Sequence, residues 1–279
     1  MTFRFQLSRK FPQAVLCVIL SSLVAACASV PLKQGASLAS YEGMRASGGM
    51  LVDARLRVDS AAILSAKTVR IVPTTQQIGG AAFEATDLAL VTNAIDRALC
   101  IGLSDRFKVV ASNQPADLTV HAKVTGIVAT NRTAAATSTV ASLGASAVLP
   151  VPIPRLPIGL GGLSVEAEAI GHDGSQRAAM LWSRGANMIT NKARVSEVGD
   201  AYTLSAGFGA DFTRMLVTGQ DPFKGVAIPS MQKISASFGG SPKYEACKAF
   251  GAAPGIKGMA ANQLGLPPAW TDKGAAPTQ

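Results

Sequence analysis

Two acidic side chains offer the most direct chemistry in this sequence. Glu166 and Glu168 are two residues apart, so on a strand they share one face. Such a pair can hold a cation or transfer protons, provided that the fold gathers it with His121 or Asp173 in one cleft. A solvated strand face, with both carboxylates pointing outward into water, is the simpler interpretation.

Other signatures of enzymes and metal sites are missing from the sequence. Its two histidines, His121 and His172, fall on the polar face of a predicted strand and in a predicted turn. No His-Glu-x-x-His or Cys-x-x-Cys spacing occurs, which argues against a zinc site. Ser230 and Lys233 match the Ser-x-x-Lys of penicillin-binding enzymes, but the companion Lys-Thr-Gly and Ser-Asp-Asn motifs are absent. We therefore expect no catalytic residue, no metal and no cofactor.

The first 26 residues have the pattern of a secretory signal peptide. Three basic residues lie within the first ten positions, and the apolar run Ala14–Leu23 follows them. This run is about half as long as the ~20 residues that a membrane-spanning helix needs. Small residues precede Cys27, so we expect cleavage between Ala26 and Cys27.

The end of this segment, Val24-Ala25-Ala26-Cys27, resembles the lipobox of bacterial lipoproteins. The resemblance implies that the Cys27 sulfur carries diacylglycerol and that its new amino group carries a further acyl chain such as palmitate. Several acyl chains bury enough methylene groups to make release from a bilayer negligible. Ala28, where an Asp would retain the protein at the inner membrane of enteric bacteria, favours the outer membrane, in the inner leaflet facing the periplasm. The alternative is that Cys27 is an ordinary small residue near an ordinary cleavage site.

Two of the four cysteines remain once Cys17 has left with the signal peptide and Cys27 has been acylated. The bacterial periplasm is oxidising, so we predict a disulfide between Cys100 and Cys247 that ties the C-terminal tail to a helix. Two buried free thiols are the alternative.

Charge and composition exclude some classes of partner and suggest a fold class. The net charge of +9 falls to +6 without the signal peptide, and no block of like charges occurs anywhere. The sequence therefore lacks the basic stripe that is typical of nucleic-acid-binding proteins. The chain is rich in Ala, Gly and Val and poor in aromatic residues, which suits a single α+β domain with small side chains.

Hydrophobic periodicity predicts the order strand, helix, strand, strand, long apolar loop, strand, strand, helix. We expect an α+β fold with a largely antiparallel sheet and two helices on one face. The predicted elements are strand Thr68–Thr74, a helix from Thr86 or Asp87 to Arg106, strands Phe107–Ala111, Asp117–Thr130, Ser164–Gly171 and Arg177–Thr190, and helix Ser196–Thr218.

The segments outside this pattern complete the predicted organisation. We predict that residues 27–60 form a lipidated N-terminus and linker, that 61–220 form the domain, and that 221–279 form a Gly/Pro-rich tail. The apolar stretch Thr133–Leu163 contains one charge, Arg155, and is unusually long for a loop. Its second half is a candidate partner-binding segment, although it could equally fold back over the sheet. The proposed binding residues are Pro150, Pro152, Pro154, Arg155 and Pro157.

Several stretches together resemble a family of uncharacterised bacterial lipoproteins, the DUF3313 type of domain of unknown function. The resemblance covers about residues 40–219 and implies a fold and a location more than a mechanism, because the family has no established activity. The tail with Cys247 departs from the shorter members. The stretches are the lipobox, Leu38–Tyr41, Val69–Pro73, Leu99–Phe107, Ala116–Val120, Gly162–Glu168 and the second helix.

Taken together, these observations favour a structural or partner-binding envelope lipoprotein that is not an enzyme, anchored in the membrane and in contact with an envelope protein. Two alternatives stay open. One is an envelope hydrolase, which would need the carboxylates described above in a single cleft. The other is a lipid-binding module that uses the apolar stretch as a lid.

Overall fold

A mixed sheet of eight strands is the centre of the computed structural model, which describes residues 30–78, 82–146, 154–225 and 231–275. The strands lie in the order β1-β2-β8-β7-β6-β3-β5, and β4 pairs with β6 beside β3. Their bounds are β1 Arg45–Gly49, β2 Val52–Val58, β3 Thr68–Ile71, β4 Thr75–Gln76, β5 Lys108–Val110, β6 Leu118–Val128, β7 Gly162–Gly171 and β8 Gln176–Gly185.

Strand direction divides the sheet into two parts. From β1 through β2, β8 and β7 to β6 every pair is antiparallel, whereas β3 runs parallel to both β5 and β6. Parallel neighbours need a long crossover connection, and a helix between β4 and β5 supplies it. The expected α+β class is confirmed, with a sheet that is mixed.

Six α-helices accompany the sheet within the described ranges. The two longest, α2 and α4, pack against each other and cover one face of the sheet. They confirm the two predicted helices, and Gly219 ends α4 in a left-handed conformation with φ 66°, as expected of a C-terminal glycine. The helices are α1 Ser60–Ser65, α2 Ala85–Leu103, α3 Arg132–Ser146, α4 Gly199–Thr218, α5 Met231–Ser237 and α6 Gly255–Gln263, with 3₁₀ turns at Glu245–Phe250 and Pro268–Trp270.

Two predicted loops are in fact regular structure. Strands β1 and β2 occupy residues that we assigned to a linker, because β2 pairs with β8 and extends the sheet. Helix α3 occupies the first half of the predicted apolar loop. Its five alanines favour a helix, and Asn131 Oδ1 accepts the Ala134 N–H at 2.9 Å, as an N-cap does.

Candidate functional site

The N-terminal segment, residues 30–41, lies along the face of β7 opposite α2 and α4. Val165 and Ala167 of β7 belong to the core beneath the helices, so the alternation of a strand directs Glu166 and Glu168 to the other face. We expected that face to be solvated. Instead Glu166 is 0% and Glu168 5% exposed, because the N-terminal segment covers them.

Glu166 accepts hydrogen bonds on both of its carboxylate oxygens. Oε2 accepts from the Gly35 N–H at 2.7 Å and from the Tyr41 hydroxyl at 2.8 Å. Oε1 accepts from the Ser37 N–H at 2.9 Å and also from the Ser37 hydroxyl. Burial, followed by the bond to Glu166, raises the pKa of Tyr41, which keeps this phenol a donor. The carboxylate thus satisfies the N–H of Gly35, a buried residue whose backbone donor would otherwise lack a partner.

Side chains of β7 and of the neighbouring strands β6 and β8 also hold the N-terminal segment. Glu168 Oε2 accepts the Ala39 N–H at 2.8 Å and the Gln176 amide at 2.6 Å. Lys123 donates its Nζ to the Gly35 carbonyl at 2.8 Å. Leu38 packs in a small apolar cluster with Ala179 and Leu181 of β8, and Leu32, Tyr41 and Met44 lie around it.

The residues that could have formed a catalytic cleft do not do so in the described structure. His121 stands opposite Glu168 in the β6–β7 register but is exposed, while both glutamates lie under the N-terminal segment. Asp173 lies in an exposed turn, where it accepts from Ser175 and pairs with Arg177. Among the residues that the structure describes, no cluster of three His, Cys, Asp or Glu side chains could hold a metal ion.

Arg155, predicted to contact a partner, points into the protein. Its Nη2 lies 3.0 Å from Oδ2 of Asp200, in the first turn of α4, and both side chains are buried. Asp200 also accepts from the Thr130 hydroxyl at 3.0 Å and from the Gly161 N–H at 2.7 Å. A buried charge needs such partners, so Arg155 serves to fix residues 154–161 to α4.

The other predicted site residues divide into two groups. Pro154 and Pro157 are exposed beside Arg155. The expected lipidation and cleavage residues Cys27 and Ala26 lie outside the described residues, and so do the remaining two prolines of the candidate segment, Pro150 and Pro152.

The Cys100–Cys247 disulfide is confirmed, and it is one of several links between the tail and the helices. It joins α2 to the 3₁₀ turn at Glu245–Phe250, across 147 residues of sequence. Arg97 of α2 pairs with Asp272, which also accepts the Tyr202 hydroxyl of α4 at 2.6 Å. Sequence reasoning missed this ion pair, because no periodic pattern connects a helix to a Gly/Pro-rich tail.

Within the ranges that the structure describes, no helix has both the length and the apolar character needed to cross a bilayer.

Comparison with known proteins identifies a family. No curated protein matches the chain. The solved structures that are similar include two of PelC dodecamers from Paraburkholderia phytofirmans, one of them a leucine-to-methionine variant. Each shares 11% identity and covers 60% of this chain and 98% of its own, with TM-scores of 0.34 and 0.35. The family described as "Protein of unknown function (DUF3313)" matches residues 33–212, more than half of the sequence, and the chain therefore belongs to that family.

Proposed function

We propose that this protein is a lipoprotein anchored through Cys27 in the inner leaflet of the outer membrane, where it acts as a non-enzymatic, partner-binding component of the envelope. The observation that carries the proposal is the docking of the N-terminal segment on β7. The family match also begins inside this segment, at residue 33.

The docked segment makes the anchor and the domain one body. Val30 is buried, and the three residues from Cys27 to Val30 can span at most about 11 Å. A lipid on Cys27 would therefore hold the domain directly at the membrane surface. Such placement suits a brace or a docking platform more than an enzyme that must reach dispersed substrates.

The use made of the glutamates also supports a non-enzymatic role. A general acid or base needs access to the proton that it transfers. The oxygens of Glu166 instead accept four donors from the N-terminal segment of the same chain. This arrangement gives the hydrolase alternative no support.

A surface on the C-terminal helices supports binding of a protein partner. Ile234 and Phe238, in and just after α5, are exposed, and so are Ile256 and Met259 of α6. The two helices pack together, so we call these four side chains the tail surface. Clustered exposed apolar side chains on a water-soluble surface mark sites of protein contact.

Acylation is tested by replacing Cys27 with Ser. We expect Cys27→Ser to abolish labelling by radioactive palmitate and to shift the protein from the membrane fraction to the soluble fraction or leave it unprocessed. Cys17→Ser is the matched control, because Cys17 leaves with the signal peptide and its loss should change nothing. Unaltered labelling and membrane retention in Cys27→Ser would refute the anchor.

Partner binding is tested by photo-cross-linking in intact cells. A photoreactive residue at Phe238 should give an adduct with an envelope protein, whereas the same residue at Asn113, in an exposed polar turn that is not part of the tail surface, should give none. The adduct should disappear when Ile256 is changed to Asp. Equal adducts at both positions, or none at either, would contradict the proposed partner surface.

A further inference from the structure

Four exposed apolar side chains lie on segments at one end of the sheet. Val140 and Leu143 are on α3, which follows β6, and are 71% and 43% exposed. Ile158 precedes β7 and is 57% exposed, and Ile189 follows β8 and is 82% exposed. We call these four residues the anchor-end surface.

This end of the sheet is also where the N-terminal segment begins. Val30 Cγ2 packs so closely on Gly162 that a Cβ there would lie 2.1 Å from it, and Gly162 pairs with Gly185 across β7 and β8. Ile158 and Ile189 each lie four residues from one of these glycines. Four residues span at most about 14 Å. Val30, the described residue nearest to Cys27, therefore lies at the same end of the sheet as these side chains.

Hydrogen bonds hold the three segments of the anchor-end surface together. The Leu156 N–H donates to Ser138 Oγ of α3 at 2.9 Å, and the Arg155 N–H donates to the Met188 carbonyl at 2.9 Å. Leu143 and Ile189 line a common cleft of about 210 Å³. The exposed apolar side chains thus belong to a fixed surface.

We propose that the anchor-end surface lies in the headgroup region of the same bilayer that holds the acyl chains of Cys27, so that the domain has one fixed orientation on the membrane. This inference rests on the proposed function, because the lipid on Cys27 brings the bilayer to this end of the sheet. Apolar side chains of interfacial proteins enter the bilayer by roughly 5–10 Å, a depth within reach of an anchor only three residues from Val30.

The charges around the anchor-end surface agree with this occupant. Lys192 lines the cleft next to Ile189, Arg132 begins α3, and Lys33 is exposed on the N-terminal segment. Asp87, Glu84 and Glu197 lie near Arg132 and balance its charge. Lys192 and Lys33 would face the phosphates of anionic lipids, which attract such residues.

Quenching by brominated lipids tests this orientation on the lipidated protein. Ile189→Trp and, separately, Leu64→Trp are introduced into a Trp270→Phe background, which leaves the buried Trp182 as a constant emitter. Leu64 is the matched control, since it is an exposed leucine on α1, which follows β2 at the opposite end of the sheet. Each protein is reconstituted into phosphatidylethanolamine–phosphatidylglycerol vesicles with increasing dibromo-phosphatidylcholine.

We expect the emission added by Ile189→Trp to fall as the brominated fraction rises, and the emission added by Leu64→Trp to stay constant. Ile158→Trp should behave like Ile189→Trp and guards against a local effect of one substitution. Constant emission from both anchor-end variants in protein that floats with the vesicles would overturn this inference and leave the lipid anchor intact. Equal quenching at Leu64 would overturn it as well. Protein that fails to float would refute the anchor itself.

Discussion

Three buried acidic residues take different roles according to what surrounds them. Glu166 meets donors from the N-terminal segment, and Asp200 meets Arg155. Asp96 of α2 accepts from the N–H of Thr74 at 2.9 Å and from its hydroxyl at 2.5 Å. Burial raises the pKa of Asp96 to about 6, against the lowering effect of the Thr74 hydrogen bonds and of the Arg97 charge.

The raised pKa of Asp96 predicts a dependence of stability on pH. The folded protein binds this proton more tightly than the unfolded chain, so the contribution of Asp96 to stability is complete below about pH 3.8 and is lost as the pH rises through about 6. Asp96→Asn should remove this contribution. The difference in unfolding free energy between the wild type and Asp96→Asn should change by a few kcal/mol between pH 4 and pH 7, in favour of the variant at pH 7.

Urea unfolding at a series of pH values measures this difference. Asp105→Asn is the control, because Asp105 is exposed and its replacement should shift all curves equally. A pH-independent difference for Asp96→Asn would show that folding does not raise the pKa of Asp96.

Glu166→Gln should loosen the N-terminal segment while leaving the sheet intact. The amide group of Gln presents a donor where Glu166 accepts two, so we expect a loss of about 1–3 kcal/mol in the attachment. Hydrogen exchange should show faster exchange of the amides of Gly35 and Ser37. Glu42→Gln, on an exposed side chain directly after this segment, should not alter their exchange. Unchanged protection in Glu166→Gln would contradict the role given to this carboxylate.

At the level of elements, the crossing of α2 and α4 depends on two glycines. A Cβ at Gly209 would lie 2.4 Å from the Ala98 Cβ and near the Ala98 backbone, and one at Gly102 would meet the Thr213 side chain at 2.2 Å. The helices therefore approach each other more closely than two alanines would allow. Gly207, two residues before Gly209, lies outside the crossing, because a Cβ there would be nearest to Arg184 and Trp182 of β8.

Alanine substitution distinguishes Gly209 from Gly207. Gly209→Ala should destabilise the protein by about 1–3 kcal/mol, since the backbone of α2 would have to move. Gly207→Ala should stabilise it by about 0.5–1 kcal/mol, because a Cβ there meets its nearest atoms at 3.6 and 3.9 Å and alanine favours the helix. Thermal and urea unfolding provide the measurement, and equal effects of the two substitutions would contradict the proposed crossing.

The apolar stretch Thr133–Leu163 contributes to the fold through Arg155. Removing the apolar stretch would take Arg155 away from Asp200 and leave a buried carboxylate without its charged partner. Breaking a buried pair in this way typically costs 3–5 kcal/mol. Deleting this stretch would therefore combine loss of folding with loss of a binding surface.

For the whole molecule, the disulfide decides whether the tail remains on the domain. It closes a loop of 147 residues, for which the chain-entropy account predicts roughly 4–5 kcal/mol of stabilisation. The Cys100→Ser, Cys247→Ser double variant should therefore unfold at lower urea concentration, and residues 231–275 should lose protection from proteolysis. Glu245→Gln, which keeps the disulfide and removes only the exposed charge that pairs with Lys248, should retain that protection. Alkylation of both cysteines in the native protein without reductant would contradict the link.

The sequence by itself determined the features that depend on local repetition. The periodic apolar residues of α2 and α4, the glycine that ends α4, and the pairing left to Cys100 and Cys247 all follow from residue types and spacing, and the structure confirms them. The family resemblance is of the same kind, because it compares short stretches of core and turn residues.

Only the tertiary structure decided what covers the polar face of β7. A strand with Glu166 and Glu168 on one side has the same sequence pattern whether water or the chain's own backbone satisfies the carboxylates. The four donors to Glu166 come from residues 125 to 131 positions earlier in the chain, so no local pattern could reveal them. The same holds for Arg155 and Asp200, which are 45 residues apart and meet only because the fold buries both.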